Sequence, residues 1–523
     1  MPNSALSKFV SLLSALAALS AANTIHVAPT GVSGGMGTIA SPLDVHSAVT
    51  KAASGDTILV EAGTYQLSTT IAIDSLNSGE AAKRKYLLAK PGTKPVFNFS
   101  GQAYASENRG ILLKGSFWSI VGLEICNAGD NGMKIEGSHN RIERCVFHHN
   151  GDGGIQLGFA HQTVNPGGAL CAYNEIVNCD SYANFDWGTL GGNADGFACK
   201  MHNGKGNVFK GCRAWHNSDD GWDLYETDWP VEITECWSWH NGDQTDFNDI
   251  YLAKTGKKMS SFSGNGNGIK LGGNGTGGNS KGQHVVKRCV AFNNRFKSLK
   301  GFDQNSHAGG IVIHNSTAWN NGYNFMFETE ATTGSVNEFS NNVSFAPKSG
   351  LGYEFTSGAI LRNNNWGLAG IVASAADFQD TTEISAMAAR NPDGSLPSNG
   401  FARLVAGSDL VDKGVDVGLT FSGKAPDLGA YEFEASSQLQ TKSVQGSGFE
   451  RIGRAIGLRT EKAEAVAFQL FDASGSCLRT QMALPLGGIA RADGLLQGLP
   501  KGIWIVRATQ QGMEPMTERA AVP

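Results

Sequence analysis

The feature that most constrains this chain is a weak internal repeat. In each copy, a cysteine or small residue is followed three positions later by an aromatic residue and five positions later by asparagine. The copies span residues 145–150, 179–184, 212–217, 236–241, 289–294 and 316–321, with His148 in one aromatic position. Short β-rich segments that return between Gly and Asn turns are typical of a solenoid whose coils stack residue over residue. We therefore predict an all-β fold, a right-handed parallel β-helix.

The repeat also predicts where its residues lie. The asparagines should stack at turns and hydrogen-bond one another, while the cysteines and aromatic residues should fill the interior. The chain has nine cysteines, and most of them occupy one repeat position, so we expect buried thiols.

A second repeat follows the first and consists of a four-residue segment with glycine in its second position. Its copies are residues 131–134, 195–198, 220–223, 267–270 and 300–303. If they lie on neighbouring coils, Asp195 and Asp220 occupy the same position about 5 Å apart. The fourth position of the later copies is shared by Ala198, Asp223, Lys270 and Asp303.

The acidic residues in and beside this second repeat predict a calcium site. Stacked carboxylates repel one another unless a cation lies between them. Calcium takes several oxygen ligands with flexible geometry, whereas zinc prefers the cysteine and histidine side chains that the repeat buries. The predicted ligands are Asp195, Asp219, Asp220 and Asp223. The alternative is that these aspartates belong to solvated Asp-Gly turns.

Lys270 is the predicted catalytic residue of the same region. Beside a calcium ion the ammonium form of a lysine is disfavoured, so that its neutral amine can remove a proton. The alternative for Lys270 is a surface lysine paired with Asp303 on the next coil.

The segments NADGF, GCRAWHNSDDGWDL, NGIKLGG and KGFDQN resemble the pectate lyases of polysaccharide lyase family 9, and the resemblance extends more loosely over residues 24–433. It implies a β-helix with one calcium ion on Asp195, Asp219, Asp220 and Asp223, and Lys270 as the base. The implied reaction is β-elimination on polygalacturonate, which leaves a 4,5-unsaturated product. The chain departs from this pattern at an inserted charged loop, residues 242–263.

Two other function classes stay open on the sequence. A glycoside hydrolase on the same fold needs a protonated acid opposite a carboxylate, and Asp219 with Asp220 could take those roles, although Lys270 would then have none. A noncatalytic surface protein would use the aspartates only to hold structural calcium.

The domain organisation follows from composition. Residues 1–22 read as a secretory signal peptide, which predicts an extracellular or cell-surface protein. A β-helix with an N-terminal capping helix should occupy 23–433, closing with a last coil at 401–433, and a polar linker should occupy 434–449. Residues 450–523 alternate in hydrophobicity like a small β-sandwich and resemble bacterial secretion or sorting modules.

The net charge of the chain limits the kinds of binding partner that we expect. The net charge of −5 is too mild for a protein that binds a polyanion through a broad basic surface, so we expect no nucleic-acid partner and a calcium-mediated contact with pectin instead. No later segment is apolar enough to predict a membrane span. We expect a monomer whose C-terminal module engages secretion machinery.

Overall fold

The computed structural model describes residues 22–158, 167–273, 283–294 and 300–434, together with the backbone of strands between 449 and 522. The chain divides into two compact units, Met1–Met387 with Asn399–Phe433, and Ala388–Ser398 with Glu434–Pro523. The predicted signal peptide lies almost entirely outside the described residues, and the boundaries predicted for it and for the linker stay predictions.

Three parallel sheets, which we name A, B and C in the order in which each coil visits them, build the first unit. Sheet A has twelve strands: Thr24–Val27, Thr57–Val60, Lys85–Ala89, Trp118–Val121, Arg141–Glu143, Glu175–Val177, Asn207–Lys210, Val231–Thr234, His284–Lys287, Ile311–His314, Asn337–Ser340 and Ile360–Arg362. Equivalent strands of successive coils pair in parallel, which is the predicted parallel β-helix.

Sheet B has ten strands: Thr64–Gln66, Val96–Asn98, Glu124–Cys126, Val146–His148, Asp180–Tyr182, Arg213–Trp215, Trp237–Trp239, Val290–Phe292, Thr317–Trp319 and Val343–Phe345. Sheet C also has ten: Ile71–Ile73, Ile111–Leu113, Met133–Ile135, Ile155–Leu157, Phe197–Cys199, Trp222–Asp223, Ile269–Lys270, Lys300–Asp303, Tyr323–Phe327 and Tyr353–Phe355. Sheet C therefore contains the second repeat of the sequence.

Helices are few in the described part of the chain. They are α1 (Val45–Lys51), α2 (Asn248–Thr255) and α3 (Glu383–Ala386), with 3-10 turns at Gln244–Asp246, Asn365–Gly367 and Ala375–Asp377. The side chain of Asp44 accepts a hydrogen bond from the Ser47 amide at 2.9 Å and so begins α1, whose residues Val45 and Val49 join the core. The predicted helix is present, and its role as a cap stays a prediction.

The inner faces of the three sheets enclose one apolar core. The repeat cysteines belong to it as predicted. These buried thiols are Cys145, Cys179, Cys212, Cys236 and Cys289. The repeat asparagines form the predicted ladder, since the side-chain amide of Asn184 donates to Asn217 at 2.9 Å and that of Asn217 to Asn241 at 3.1 Å. These three asparagines are fully buried, so their mutual hydrogen bonds satisfy polar groups that solvent does not reach.

The prediction that the repeat aromatics fill the interior is wrong. In the strand Arg213–Trp215, Ala214 belongs to the core, so Trp215 points outward. The aromatic residues instead stack along the outer face of sheet B, with ring centroids 4.9 Å apart for Trp215 and Trp239 and 4.5 Å apart for Phe292 and Trp319.

The segment 401–433 does not form the predicted last coil. It runs along the outside of sheet B, where Phe401 packs its ring against Trp237, Phe292 and Trp319 at centroid distances of 4.6–5.8 Å. The Tyr431 hydroxyl accepts a hydrogen bond from the indole nitrogen of Trp237 at 2.9 Å. The outward aromatic column explains this path, because it offers the segment an apolar surface to bury.

The second unit contains antiparallel strands. Phe449–Ile452, Ala455–Arg459 and Ile489–Ala492 form one sheet, and Cys477–Ala483, Val466–Phe471, Gly502–Gln510 and Met516–Val522 form another, in the order given. That these sheets pack as a sandwich and act as a sorting module stays a prediction. Among the described residues, no helix has the length and apolar character needed to cross a membrane.

Candidate active site and metal centre

Strand register on sheet C brings the predicted site residues together. Asp223 pairs with Lys270 on the next coil, and Phe197 pairs with Trp222, which places Asp195 and Asp220 at equivalent positions two residues earlier. The amide of Asp220 donates to a carboxylate oxygen of Asp195 at 3.2 Å. The predicted alignment of Asp195 with Asp220, and of Asp223 with Lys270, on successive coils is therefore confirmed.

Local backbone geometry aims these side chains outward. Trp222 and Ile269 lie in the core, so their strand neighbours Asp223 and Lys270 point away from it. Asp219 and Asp220 precede the strand, which begins at Trp222, and so escape the alternation that would send them to opposite faces. Gly221 is required between them and the strand, because a Cβ there would lie 2.0 Å from the Ser238 hydroxyl.

The aspartates are buried and close together. One carboxylate oxygen from each of Asp195, Asp219 and Asp220 lies within 4.8 Å of the others, and each of the three residues is at most 3% exposed. The alternative of solvated Asp-Gly turns is therefore wrong. A compact set of carboxylate oxygens fits the ligand preference of a hard cation such as Ca²⁺.

Asp223 and Lys270 complete the cluster. The Lys270 ammonium lies 2.7 Å from Oδ2 of Asp220 and 3.2 Å from Oδ1 of Asp223, and the residue is 6% exposed. The alternative of a surface lysine paired with Asp303 is also wrong, because Asp303 pairs with Lys300 at 3.0 Å instead.

Sequence reasoning missed a second lysine of the site. The Lys200 ammonium donates to Oδ2 of Asp195 at 2.7 Å and lies 3.3 Å from Oδ2 of Asp223. Lys200 follows the sheet C strand Phe197–Cys199 and falls outside both repeat positions. The signal that could have found it was charge balance, since four buried carboxylates need more cations nearby than one lysine.

Burial and neighbouring charges shift the pKa values of the cluster. Burial raises the pKa of Asp195 and of Asp219, and raises that of Asp220 to about 8. Burial acts on Asp223 in the same direction, but Lys270 and Lys200 together outweigh it and lower its pKa. Burial acts to lower the pKa of Lys270, yet Asp220 and Asp223 outweigh it and raise that pKa well above its ordinary value.

The pKa shifts of the aspartates reflect an excess of negative charge in the cluster. When all four aspartates are ionised, the ammonium groups of Lys200 and Lys270 offset two of their charges and leave two uncompensated. The raised pKa values of Asp195, Asp219 and Asp220 act against that excess, because they favour the protonated carboxyl over the carboxylate. One divalent cation would do the same without protons, so the residues present fit calcium in charge as well as in ligand type.

The inserted loop predicted at 242–263 borders the site. The chain just beyond its far end reaches the cluster, since the Asn265 amide donates to a carboxylate oxygen of Asp219 at 2.6 Å. The Ser263 amide, at the end of the loop, donates to the Leu190 carbonyl at 2.8 Å. Lys254 of α2 lies over the ring of Trp187, 4.9 Å from its centroid. The chain near the far end of the loop thus contacts the site, while α2 has no buried residue.

The fold and the site together define a parallel β-helix protein with a buried centre of four carboxylates and two lysines on one outer face. Residues 25–342 match the family described as Pel9A-like, right handed beta helix region. The chain belongs to this Pel9A-like family, and the predicted right-handed β-helix is thereby confirmed.

Relatives with named activities share most of the chain. Pectate lyase L of Dickeya chrysanthemi is 37% identical over 415 residues, which cover 78% of this chain and 90% of that protein. The crystal structure of pectate lyase Pel9A superposes with a TM-score of 0.68 at 35% identity and covers 80% of this chain and 98% of that one. A rhamnogalacturonan lyase superposes with a TM-score of 0.59 at 26% identity, covering 73% and 97%.

Proposed function

We propose that this chain is a calcium-dependent pectate lyase that cleaves polygalacturonate by β-elimination. The observation that carries the proposal is the position of Lys270, whose amine borders two buried carboxylates of a cluster suited to one divalent cation. The similarity to proteins named pectate lyase over more than three quarters of the chain supports the same reaction.

Each residue has a defined part. Asp195, Asp219, Asp220 and Asp223 would hold the calcium ion, and Lys200 would keep Asp195 and Asp223 in place through its two ion pairs. A calcium ion held there would supply positive charge, which would offset the aspartates that raise the pKa of Lys270 and would attract the C6 carboxylate of a galacturonate.

Lys270 then carries out the proton transfer. Its neutral amine takes the proton from C5 of the galacturonate, the electron pair of that C–H bond forms the 4,5 double bond, and the bond from C4 to the glycosidic oxygen breaks. The departing oxygen keeps the electron pair of the broken bond and takes up one proton, which balances the proton that Lys270 removed. The products are a chain with a 4,5-unsaturated end and a new free end, and no water is consumed.

A hydrolase reaction has weaker support from the site. Glycoside hydrolases place an acid and a carboxylate about 5–5.5 Å apart for retention, or about 6.5–9.5 Å apart for inversion, across the sugar. Here Asp195, Asp219 and Asp220 crowd within 4.8 Å on one side, and a hydrolase has no role for Lys270 or Lys200.

The location and the second unit follow from the substrate. Because pectin is an extracellular polymer, we propose export through the signal predicted at 1–22 and a sorting or attachment role for residues 450–523. We further propose that the catalytic unit works as a monomer.

The test of the reaction is the ultraviolet absorbance of the unsaturated product during incubation with polygalacturonate, first with calcium and then with excess chelator. An absorbance increase that the chelator abolishes is expected. Rhamnogalacturonan is the comparison substrate, because a rhamnogalacturonan lyase shares the fold at 26% identity. New reducing ends without absorbance would contradict elimination, and a signal with rhamnogalacturonan alone would contradict the substrate.

A further inference from the structure

A pair of histidines lies outside the aspartate cluster, at the turns that follow sheet B. His216 follows the strand Arg213–Trp215 and His240 follows Trp237–Trp239 on the next coil. Their rings stack with centroids 4.2 Å apart and a tilt of 30°. Two imidazoles are therefore held side by side by the solenoid itself.

The inserted loop supplies carboxylates to these rings. Oδ2 of Asp246 lies 2.5 Å from Nδ1 of His216 and 4.0 Å from Nε2 of His240, and Oδ2 of Asp243 lies 3.4 Å from the same Nε2. One ligand atom from each of His216, His240 and Asp246 falls within 4.8 Å of the others. Tetrahedral ligands at 2.0–2.2 Å from one ion lie about 3.3–3.6 Å apart. The 3.4 and 4.0 Å separations approach this spacing, and the 2.5 Å contact between His216 and Asp246 would lengthen when an ion replaces the shared proton.

The outer contacts of His240 fit the same interpretation. Its Nδ1 lies 3.2 Å from Oε1 of Glu383, and that carboxylate also accepts from the side-chain amide of Asn293 at 2.5 Å. Histidine ligands commonly donate their second ring N–H to a carboxylate, which fixes the tautomer and leaves the other nitrogen as the ligand. In this chain the other nitrogen is Nε2, which faces Asp243 and Asp246.

We propose that His216, His240 and Asp246, with Asp243 as the fourth donor, form a second metal site of the zinc class. Two imidazole nitrogens with carboxylate oxygens suit Zn²⁺ and related transition metals, whereas the all-carboxylate cluster on sheet C suits calcium. The four side chains are 12–28% exposed, so an ion can enter from solvent without the core opening.

The site would fasten one end of the inserted loop. Asp243 and Asp246 lie at the start of the loop, ahead of α2, while Asn265, just beyond its far end, contacts Asp219. Zinc would thus tie the loop to two successive coils, and the segment that borders the active site would be held at both ends.

The experiment uses the full-length protein saturated with calcium and titrated with ZnCl₂, followed by calorimetry and metal analysis. One equivalent of zinc is expected in addition to calcium, and cobalt(II) at the same site should show the visible bands of a nitrogen- and oxygen-ligated ion. His216→Asn and Asp246→Asn should each weaken zinc binding by about tenfold or more. His314→Asn is the matched control, because His314 pairs with the single carboxylate of Glu338 at 3.3 Å, and it should bind zinc normally.

Limited trypsin digestion gives a second readout that does not depend on variants. Zinc should slow cleavage at the loop lysines Lys254, Lys257 and Lys258 of the unaltered protein. The proposal is wrong if calcium-saturated protein binds no zinc or if His216→Asn and Asp246→Asn bind it as tightly as the unaltered protein. It is also wrong if zinc binding is lost in His148→Asn instead, since His148 lies near Glu124 and Cys126.

Discussion

The ammonium group of Lys200 lies 2.7 Å from a carboxylate oxygen of Asp195, so the aspartate cluster contains a cation that neither repeat of the sequence includes. Lys200→Met should therefore have two opposite effects. Loss of one partner of a buried ion pair should lower the free energy of unfolding of calcium-free protein by about 3 kcal/mol. Calcium affinity should rise, because one more negative charge is left for the ion. Thermal unfolding and calcium titration measure the two effects, and a fall in calcium affinity would show that the positioning of Asp195 and Asp223 by Lys200 outweighs its repulsion of the ion.

Lys270→Ala should abolish turnover while preserving the fold. Loss of a general base lowers the rate by about 10²–10⁴-fold, whereas the calcium ligands stay in place. Lys300→Ala is the matched control, because Lys300 is a lysine of the next coil of sheet C that pairs with Asp303. The absorbance assay and a calcium titration are run on both variants. Turnover retained by Lys270→Ala would remove Lys270 as the base.

Asp220→Asn should weaken calcium binding. The side chain is fully buried and its carboxylate lies within 4.8 Å of those of Asp195 and Asp219, so an amide there removes both a ligand charge and an oxygen. We expect an increase in the calcium Kd of about tenfold or more, equivalent to about 1.4 kcal/mol. Asp303→Asn, one coil further along sheet C, should leave the Kd unchanged. An equal loss in both variants would contradict a specific ligand role.

Calcium should stabilise the protein more at high pH than at low pH. The pKa of Asp220 is raised from 3.8 to about 8 by burial, so this group stabilises calcium-free protein at low pH and loses that contribution as pH rises through about 8. Calcium binds the ionised carboxylates and restores the lost stability. The increase in Tm with calcium should be larger at about pH 9 than at about pH 6. Equal increases at both values would contradict proton competition at the site.

Asn217→Ala should destabilise the β-helix. The Asn217 side chain accepts from the side-chain amide of Asn184 and donates to Asn241 and to the Ser181 carbonyl in the buried ladder, so its loss removes these three buried hydrogen bonds. A cost of about 1–3 kcal/mol is expected for such groups. Exposed Asn248→Ala, at the start of α2, should change stability by less than about 0.5 kcal/mol. Chemical denaturation compares the two, and a neutral Asn217→Ala would contradict a structural role for the ladder.

The fold and the four aspartates could be predicted because a solenoid repeats one environment on every coil. Sequence spacing alone predicts that Asn217 and Asn241 occupy the same position on successive coils. The same holds for Asp195 and Asp220. Lys200 could not be found in this way, since it reaches the cluster from outside the repeated positions and its contacts depend on side-chain reach.

Strand geometry explains why the repeat aromatic residues lie outside the β-helix and not in its interior. Cys212 and Trp215 are three positions apart, and residues separated by an odd number in an extended strand face opposite sides. With the cysteines inside, the aromatics had to lie outside. The course of residues 401–433 depends on that outward column and carries no periodicity of its own, so the sequence offered no signal for it.

The packing of one side chain should make part of the β-helix unfold cooperatively. Phe401 contacts Trp237, Phe292 and Trp319. In a plain solenoid each coil touches only its neighbours, so the ends can fray one coil at a time. Because the segment of Phe401 packs against three successive coils, these coils should unfold together. The later part of the β-helix, which includes the coil of Lys270, should then resist fraying as a single cooperative block.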